Sequence, residues 1–476
     1  MIDRFPFRRV LFVNAVPLLT AAVFLFVTVG TVQAQRVGEL IVVIESADAK
    51  IKKDVVGRVS AGSIHKLTAI EGNWCAIEGA KGWIPKASIL TLAQGLRHYS
   101  ERIGKNKGDF EAWATRGMIY FELGQLDSAF VDMNEAIRAN SRIAAIWHNR
   151  GIVLHALGRW PMAVDDFSEA IRLNTSYTRA YHSRGLAYYS LGELDKAILD
   201  FTRAIRLDEN EPWFYVNRGS AYHAAGKSQE AIQDYLAARK LDPKLSDPLV
   251  GLANVYLDKN DLDRAMIAAE EAIKLNPASP KALNVRGWVL FKQHRLEDSL
   301  KDFDSAIRQA DDFSLAHNNR GVALTELKRY DEAIKSFSRA IVLSPEPTVF
   351  VNRAHAHMLA GDSRSAWEDL QRASEMNERL VEGILVRAWF LATCADNELQ
   401  DPQLAVATWE ELPEGFQLDW SAWDIKAAIL AATGNFPEAI QAAEKALATA
   451  PAHRRTAIEQ RLELYQAGKP FRLAQD

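Results

Sequence analysis

Cysteine is scarce in this chain of 476 residues, which has only Cys75 and Cys394. The two residues lie far apart and form no C-x-x-C pair, which excludes a thiolate zinc site and a dithiol redox motif. We expect both to be buried as small apolar side chains. An excess of one charge is also missing, because the formal net charge is −4. The chain therefore has no overall attraction to nucleic acid or to an anionic membrane.

Catalytic motifs are missing from the sequence as well, since it contains neither H-E-x-x-H nor G-x-S-x-G. Gly226-Lys227-Ser228 resembles the end of a phosphate-binding loop, but Ala221 stands where that loop needs a glycine. His355 and His357 are two residues apart on a predicted helix, so they point to different faces. We therefore predict that the protein is not an enzyme and has no catalytic residues, no metal site and no cofactor.

One long apolar run, from Val10 to Val29, follows three arginines, Arg4, Arg8 and Arg9. Val32-Gln33-Ala34 then fits the small-residue rule for signal-peptide cleavage. We predict that residues 1–34 are a signal peptide and that the protein is exported to the periplasm or cell envelope. The run is also long enough to be retained as a membrane anchor, and this alternative stays open.

What the sequence has in abundance is one internal repeat. An arginine-glycine step recurs at intervals of thirty-four residues or multiples of thirty-four, at Arg116-Gly117, Arg150-Gly151, Arg184-Gly185, Arg218-Gly219, Arg286-Gly287 and Arg320-Gly321. Leu252-Ala253 keeps the register between the fourth and fifth of these steps, and a long insertion precedes Lys426-Ala427. Within each interval, apolar residues at helical spacing form two blocks separated by a turn. This period predicts a stack of helix pairs.

The glycine of each step falls in the middle of a predicted helix, where it should cost roughly 0.5–1 kcal/mol relative to alanine. A second small residue, such as Ala129 or Ala163, follows twelve positions later. We expect the two helices of each pair to cross closely at these small residues. The predicted contact residues are Gly117, Gly151, Gly185, Gly219, Gly287 and Gly321.

These residues resemble the tetratricopeptide repeat. The first unit has the signature residues Trp113, Gly117, Tyr120, Ala129, Met133 and Ala136. The fourth has Tyr215, Gly219, Tyr222, Ala231, Tyr235, Ala238 and Pro243. The resemblance implies a mainly α fold, an α-solenoid superhelix of about ten helix-turn-helix repeats. We place repeats 1–8 at 110–379, degenerate repeats 9 and 10 at 380–451, and capping helices at 93–109 and 452–476.

An aspartate usually follows the recurring arginine by sixteen residues, as in Arg150 with Asp166 and Arg184 with Asp200. Both charges are lost together in the fifth unit, as Leu252 and Ala268, while Arg320 with Ser336 is an exception. The joint loss favours an ion pair between the two helices. The alternative is an arginine ladder that binds anions in a groove.

Residues 35–92 have a different pattern, in which short β-branched runs alternate with Gly, Asn and Ser turns. Gly62, Trp74 and Gly82-Trp83-Ile84 resemble bacterial SH3-like domains, which implies a small all-β barrel ahead of the array. That family often binds cell-wall peptide or proline-containing ligands. Trp74 and Trp83 fit either a small core, which we favour, or a ligand contact.

In tetratricopeptide arrays the first helix of each pair lines the concave surface. The resemblance places ten side chains there, Asn149, Asn217, Asn319, Asn352, His148, His182, Tyr189, His223, Trp288 and Phe291. Asparagine both donates to and accepts from a peptide backbone, so these residues could hold an extended peptide or could simply be solvated.

The favoured function is a non-enzymatic interaction scaffold of the cell envelope, with a protein or extended peptide as partner. The alternative is a cell-wall binding protein in which residues 38–92 contact wall peptide and the array is a spacer. We expect no nucleic-acid partner, and membrane contact only through an uncleaved N-terminal segment.

Overall fold

The computed structural model describes residues 35–52 and 54–473, so the predicted signal peptide lies outside the described residues. The described chain divides into two compact units, residues 35–243 and 244–473. Neither unit has a described helix with the length and apolarity needed to cross a membrane. The predicted mainly α architecture with a small β region at its start is confirmed.

The first unit begins with short antiparallel strands, because β-branched runs alternate there with glycine turns. They are β1 (Leu40–Val43), β2 (Ala47–Ile51), β3 (Asp54–Val59), β4 (Ile64–Glu71), β5 (Trp74–Ile77), β6 (Ile84–Pro85) and β7 (Ile89–Thr91). Five strands form a sheet in the order β6-β5-β4-β1-β7, and β2 pairs with β3. An isolated bridge between Lys50 and Trp83 joins this hairpin to the rest of the domain.

The core of the β domain is aliphatic, and neither tryptophan fills it. Ile41, Leu67 and Ile84 are fully buried, and Cys75 is buried beside them as expected. Trp74 is 39% exposed and Trp83 is half-buried. The favoured interpretation of the two tryptophans as core residues is therefore wrong, because the aliphatic side chains already occupy that space.

Helices fill the rest of the first unit. They are α1 (Leu92–Lys105), α2 (Phe110–Glu122), α3 (Leu126–Ala139), α4 (Ala144–Ala156), α5 (Trp160–Leu173), α6 (Thr178–Ser190), α7 (Leu194–Leu207), α8 (Pro212–Ala224) and α9 (Ser228–Leu241). Thr91 begins α1 with a capping box, in which its side chain and that of Gln94 each accept the other's backbone N–H. Val42 of β1 packs on Tyr99 and Ile119, so the β domain and the first helices share one apolar cluster.

The second unit continues the pairs. Its helices are α10 (Asp247–Asp258), α11 (Leu262–Leu275), α12 (Pro280–Lys292), α13 (Leu296–Gln309), α14 (Ser314–Glu326), α15 (Tyr330–Leu343), α16 (Pro347–Leu359), α17 (Ser363–Met376), α18 (Val381–Thr393), α19 (Pro402–Glu410), α20 (Trp420–Ala432), α21 (Phe436–Thr449) and α22 (Ala452–Gln466). The register is lost where it was expected, because α19 has only nine residues and long connections precede and follow it.

In every pair from α2–α3 to α20–α21, an even-numbered first helix packs on the odd-numbered helix that follows it. The recurring glycine lies at this contact. A Cβ atom on Gly151 would lie 2.5 Å from Cε1 of Phe167, and one on Gly321 would lie 2.6 Å from the same atom of Phe337. The helices could not cross so closely with a larger residue, because an aromatic ring already fills the space above the glycine.

We expect Gly151→Ala to lower the free energy of unfolding by about 1–3 kcal/mol, because the added methyl group overlaps the Phe167 ring. The matched control is Gly104→Ala in α1, where an added Cβ meets nothing within 4 Å. That change should raise stability by about 0.5–1 kcal/mol through helix propensity alone. Urea unfolding followed by circular dichroism measures both. Equal effects of the two substitutions would show that the close crossing is unimportant.

Candidate functional site

The recurring arginine joins three helices rather than two. In the second repeat, Nε and Nη2 of Arg150 donate to the two carboxylate oxygens of Asp166 on α5, each at 2.7 Å. Its Nη1 donates to Oδ1 of Asn134 on α3, in the preceding repeat, at 2.8 Å. The guanidinium also stacks over the Trp147 ring at 4.9 Å. This arginine junction therefore fixes the helix pair and the step to the previous repeat together.

The same arrangement recurs in both units. In each set the arginine binds its aspartate and a third side chain on the helix that precedes its own. The sets are Arg116, Asp132 and Ser100; Arg184, Asp200 and Ser168; Arg218, Asp234 and Thr202; and Arg353, Asp369 and Ser338. Arg286 likewise donates two bonds to Asp302. The hydrogen bond to Asp132 raises the pKa of Arg116, so its guanidinium stays charged.

The seventh repeat also has an arginine junction, but its carboxylate comes from the preceding repeat instead of from its own second helix. Nε of Arg320 donates to Asp304, in the preceding repeat, and Nη1 donates to Ser336, each at 2.6 Å. The serine hydroxyl and the aspartate carboxylate have thus exchanged positions relative to the other repeats, and the positive charge of Arg320 is still neutralised. In the fifth repeat, Leu252 and Ala268 are both buried and apolar. These contacts leave no support for the alternative of an anion-binding arginine ladder, because aspartates already occupy the guanidinium groups.

The second polar feature is a set of bonds between successive first helices, which contact one another directly in each unit. We call the face formed by their fifth, sixth, ninth, twelfth and thirteenth side chains the first-helix surface. In the first unit, Nε2 of His148 lies 3.0 Å from Oγ of Ser183. Similarly, Nδ2 of Asn217 donates to Nε2 of His182 at 2.7 Å. Fifth-position and sixth-position side chains of neighbouring repeats are thereby tied together.

In the second unit the same positions are asparagine pairs. Asn319 donates from Nδ2 to Oδ1 of Asn284 at 3.0 Å, and Asn352 donates in the same way to Asn318. Asn319 and His148 are only 1% and 5% exposed, and Trp288 is buried against a stacked Phe291 ring. The structure therefore does not support partner contacts by Asn319, His148 or Trp288, because neighbouring helices cover them.

The remaining predicted residues are more accessible. Asn149, Asn217, Asn352, His182, Tyr189, His223 and Phe291 are half-buried. Two of them, Tyr189 and His223, are twelfth-position residues of first helices in the first unit, and every twelfth position there is a half-buried ring. We call these four side chains the ring row: Phe121, His155, Tyr189 and His223. Apolar ring faces alternating with imidazole and phenol groups can contact both side chains and backbone of a bound chain.

Burial controls the protonation of two first-unit histidines, His148 and His182. Desolvation lowers the pKa of His148 to about 4, although its hydrogen bond with Asn149 opposes the shift. Desolvation also lowers the pKa of His182 to about 4. Both rings are therefore neutral at pH 7, and a neutral Nε2 of His182 can accept the hydrogen bond from Asn217.

Sequence reasoning missed the second partners of these side chains. Ser183 lies thirty-five residues after His148, and Asn319 lies thirty-five after Asn284. This spacing joins the fifth position of one repeat to the sixth of the next. A search for polar pairs at one period plus one residue would have found them.

We expect Asp166→Ala to lower the free energy of unfolding by about 3 kcal/mol, because it leaves a guanidinium that is only 20% exposed without its carboxylate. Adding Arg150→Leu should recover much of this loss, since no unpaired charge then remains. Urea unfolding of the two single variants and the double variant measures the coupling. Additive losses would contradict the pairing. Glu169→Ala, in an exposed pair with Arg172, is the control and should change little.

Stability should fall as the pH drops from 7 to 5. The ordinary histidine pKa of 6.5 is lowered to about 4 in His148 and His182, so the unfolded chain binds more protons in this range. The expected loss is about 2 kcal/mol for each ring. The double variant His148→Gln, His182→Gln should show a weaker pH dependence in urea unfolding. An unchanged dependence would assign the effect to other groups.

Models of repeat families match more than half of the chain. A TPR repeat model matches residues 153–192 and 185–226. One Tetratricopeptide repeat model matches residues 250–314, 285–346 and 398–454. A second Tetratricopeptide repeat model matches residues 110–142 and 214–245. A comparison with curated proteins found no match.

Several solved structures are similar. The APC/C hetero-tetramer Cut9-Hcn1 has 15% identity and a TM-score of 0.46, over 62% of this chain and 58% of that chain, so less than two thirds of that chain is covered. TTC0263, a TPR protein of Thermus thermophilus, has 19% identity and a TM-score of 0.36, over 38% and 99%. YrrB, a TPR protein with an unusual peptide-binding site, has 22% identity and a TM-score of 0.28, over 38% and 94%. With the matched repeats, the arginine-glycine steps and the paired helices in agreement, the chain belongs to the tetratricopeptide repeat family.

Proposed function

We propose that the protein is an exported interaction scaffold of the cell envelope and that the first-helix surface of its first unit binds an extended peptide. Tetratricopeptide repeats support the broader role, a protein–protein interaction scaffold without catalysis of its own. The N-terminal sequence, with its arginines, apolar run and small-residue site, supports export.

The ring row carries the proposal for peptide binding. Phe121, His155, Tyr189 and His223 repeat once per first helix, at the same position of each repeat. A repeat of binding groups along one surface suits a chain in extended conformation, because successive residues of the peptide can contact successive repeats. Trp213, on the same helix as His223, adds a large exposed apolar side chain. The second unit has no such row, since its twelfth positions include Leu257, Thr325 and Ala392.

A second candidate, contact of the β domain with cell-wall peptide, is favoured by one observation. Trp74 is exposed on β5, and Val55 and Val56 are exposed on β3. Exposed apolar side chains on a small domain can belong to a binding surface. In this alternative the β domain would retain the protein at the wall and the repeats would serve as a spacer.

Site-specific photo-crosslinking in cells distinguishes these functions. A benzoylphenylalanine replaces Tyr189 in the ring row, Leu199 on the exposed side of α7, or Trp74 in the β domain. We expect protein adducts from position 189 and few from position 199, which is the control because its side chain is 69% exposed on a second helix. Mass spectrometry identifies the adducts. Equal labelling from 189 and 199 would contradict the peptide site, and wall-peptide adducts from position 74 alone would support the second candidate.

A further inference from the structure

The last described residues of the second unit, 452–473, comprise α22 and a short tail, which we call the C-terminal segment. The sequence predicts a polar-backed helix that covers the last apolar face of the array. Part of the segment has this role, since Ile458 packs with Ala446 of α21 and with Ala450 directly after that helix, and it is fully buried. Other contacts of the C-terminal segment are made with first helices of the array.

The strongest contact of the C-terminal segment lies on the first-helix surface. Arg461 donates from Nε and Nη2 to the two carboxylate oxygens of Asp424, at 3.0 and 2.5 Å. Asp424 occupies the fifth position of α20. The two side chains are only 4% and 6% exposed. The guanidinium also lies over the ring of Trp389, at the ninth position of α18, with 5.4 Å to the centroid.

The tail continues across the same surface. Gly468 turns the chain with φ +65° after α22 ends. Phe471 then packs on Trp389, with 5.9 Å between ring centroids. The backbone N–H of Leu473 donates to the carbonyl of Thr393, at the thirteenth position of α18, at 2.8 Å. The tail is thus held by a ring contact and a backbone hydrogen bond, as an extended peptide is held in a groove.

The beginning of α22 reaches earlier repeats. Nη2 of Arg454 lies 2.9 Å from Oε1 of Glu326, at the thirteenth position of α14. The His453 ring lies 4.9 Å from that of His294, in the turn after α12. The C-terminal segment therefore spans the first-helix surface from the sixth and seventh repeats to the ninth and tenth.

The C-terminal segment adds a buried ion pair to the apolar contacts of a capping helix. A buried guanidinium–carboxylate pair is a costly way to gain stability, because both charges lose their water, but it selects strongly for one partner in one register. The site is acidic at Asp424 and Glu326, and the segment that fills it carries arginine at both matching positions. Charge complementarity of this kind joins helices within this fold, and the same chemistry also serves recognition between separate binding partners.

We propose that the first-helix surface of α14, α18 and α20 is a binding site for an amphipathic helix that carries a buried arginine. The C-terminal segment is its resident occupant, and a partner helix of the same chemistry displaces it. Asp424 and Trp389 receive the arginine, and Glu326 receives a second basic residue two turns earlier in the helix. This site belongs to the second unit and is independent of peptide binding by the ring row.

The test uses the full chain with a weakened C-terminal segment, in the variant Arg461→Ala, Phe471→Ala. The probe is a fluorescein-labelled synthetic peptide of residues 452–473. Fluorescence anisotropy should show that the peptide binds this variant at least about tenfold more tightly than it binds the wild-type chain, whose site is occupied. Adding Asp424→Asn to the variant should weaken binding at least about tenfold. The control Gln460→Ala, at an exposed position of the same helix, should behave as wild type.

A folded variant that does not bind the peptide, or one in which Asp424→Asn has no effect, overturns the proposal. Hydrogen exchange of the wild-type chain gives a second measurement that does not depend on the folding of the variant. The C-terminal segment should exchange through an opening separate from that of α20 and α21. If all three regions exchange only together, the segment is a fixed part of the fold and the proposal fails.

Discussion

A charge-assisted contact between a guanidinium and a carboxylate fixes the geometry of most repeats. The arginine of the first helix reaches the aspartate of its own second helix and a polar side chain of the preceding repeat, so one residue sets both the crossing within a pair and the step between pairs. This contact requires that the helices cross closely, which only a glycine or alanine next to the arginine allows. Where an aromatic side chain stacks on the guanidinium, as Trp147 does on Arg150, it shields the pair from water and strengthens it.

Once this geometry is set, the first-helix surface acquires its chemistry. Fifth and sixth side chains of neighbouring repeats come within hydrogen-bond distance, so histidine and asparagine there are used to join helices. Twelfth positions of the first unit are only half-buried, so their rings keep an accessible face even where one of them, His155, lies 3.2 Å from Oγ of Ser190 in the next repeat. On the same surface, the fifth and sixth positions therefore join the helices and the twelfth positions can contact a partner. The burial of each position decides which role it has.

Much of this organisation could be predicted from the sequence, because it recurs. The pairing of Arg150 with Asp166 was evident from their spacing and from the joint loss at Leu252 and Ala268. The third partner of each arginine was not evident from the sequence. Ser100, Asn134 and Thr202 can all accept a hydrogen bond, but they are of different residue types. The burial of Asn319 also escaped prediction, because it depends on the distance to the next repeat. The pair of Arg461 with Asp424 occurs once, so no periodicity indicated it.

The exchange of acid and hydroxyl around Arg320 has a consequence for how such an array evolves. Repeats that carry their own aspartate are electrically self-contained, so duplication or deletion of one leaves every guanidinium neutralised. The seventh repeat depends on Asp304 in the sixth, and these two can be inherited or transplanted only as a couple. The exchange at positions 304 and 336 thus links two otherwise interchangeable modules into one larger unit.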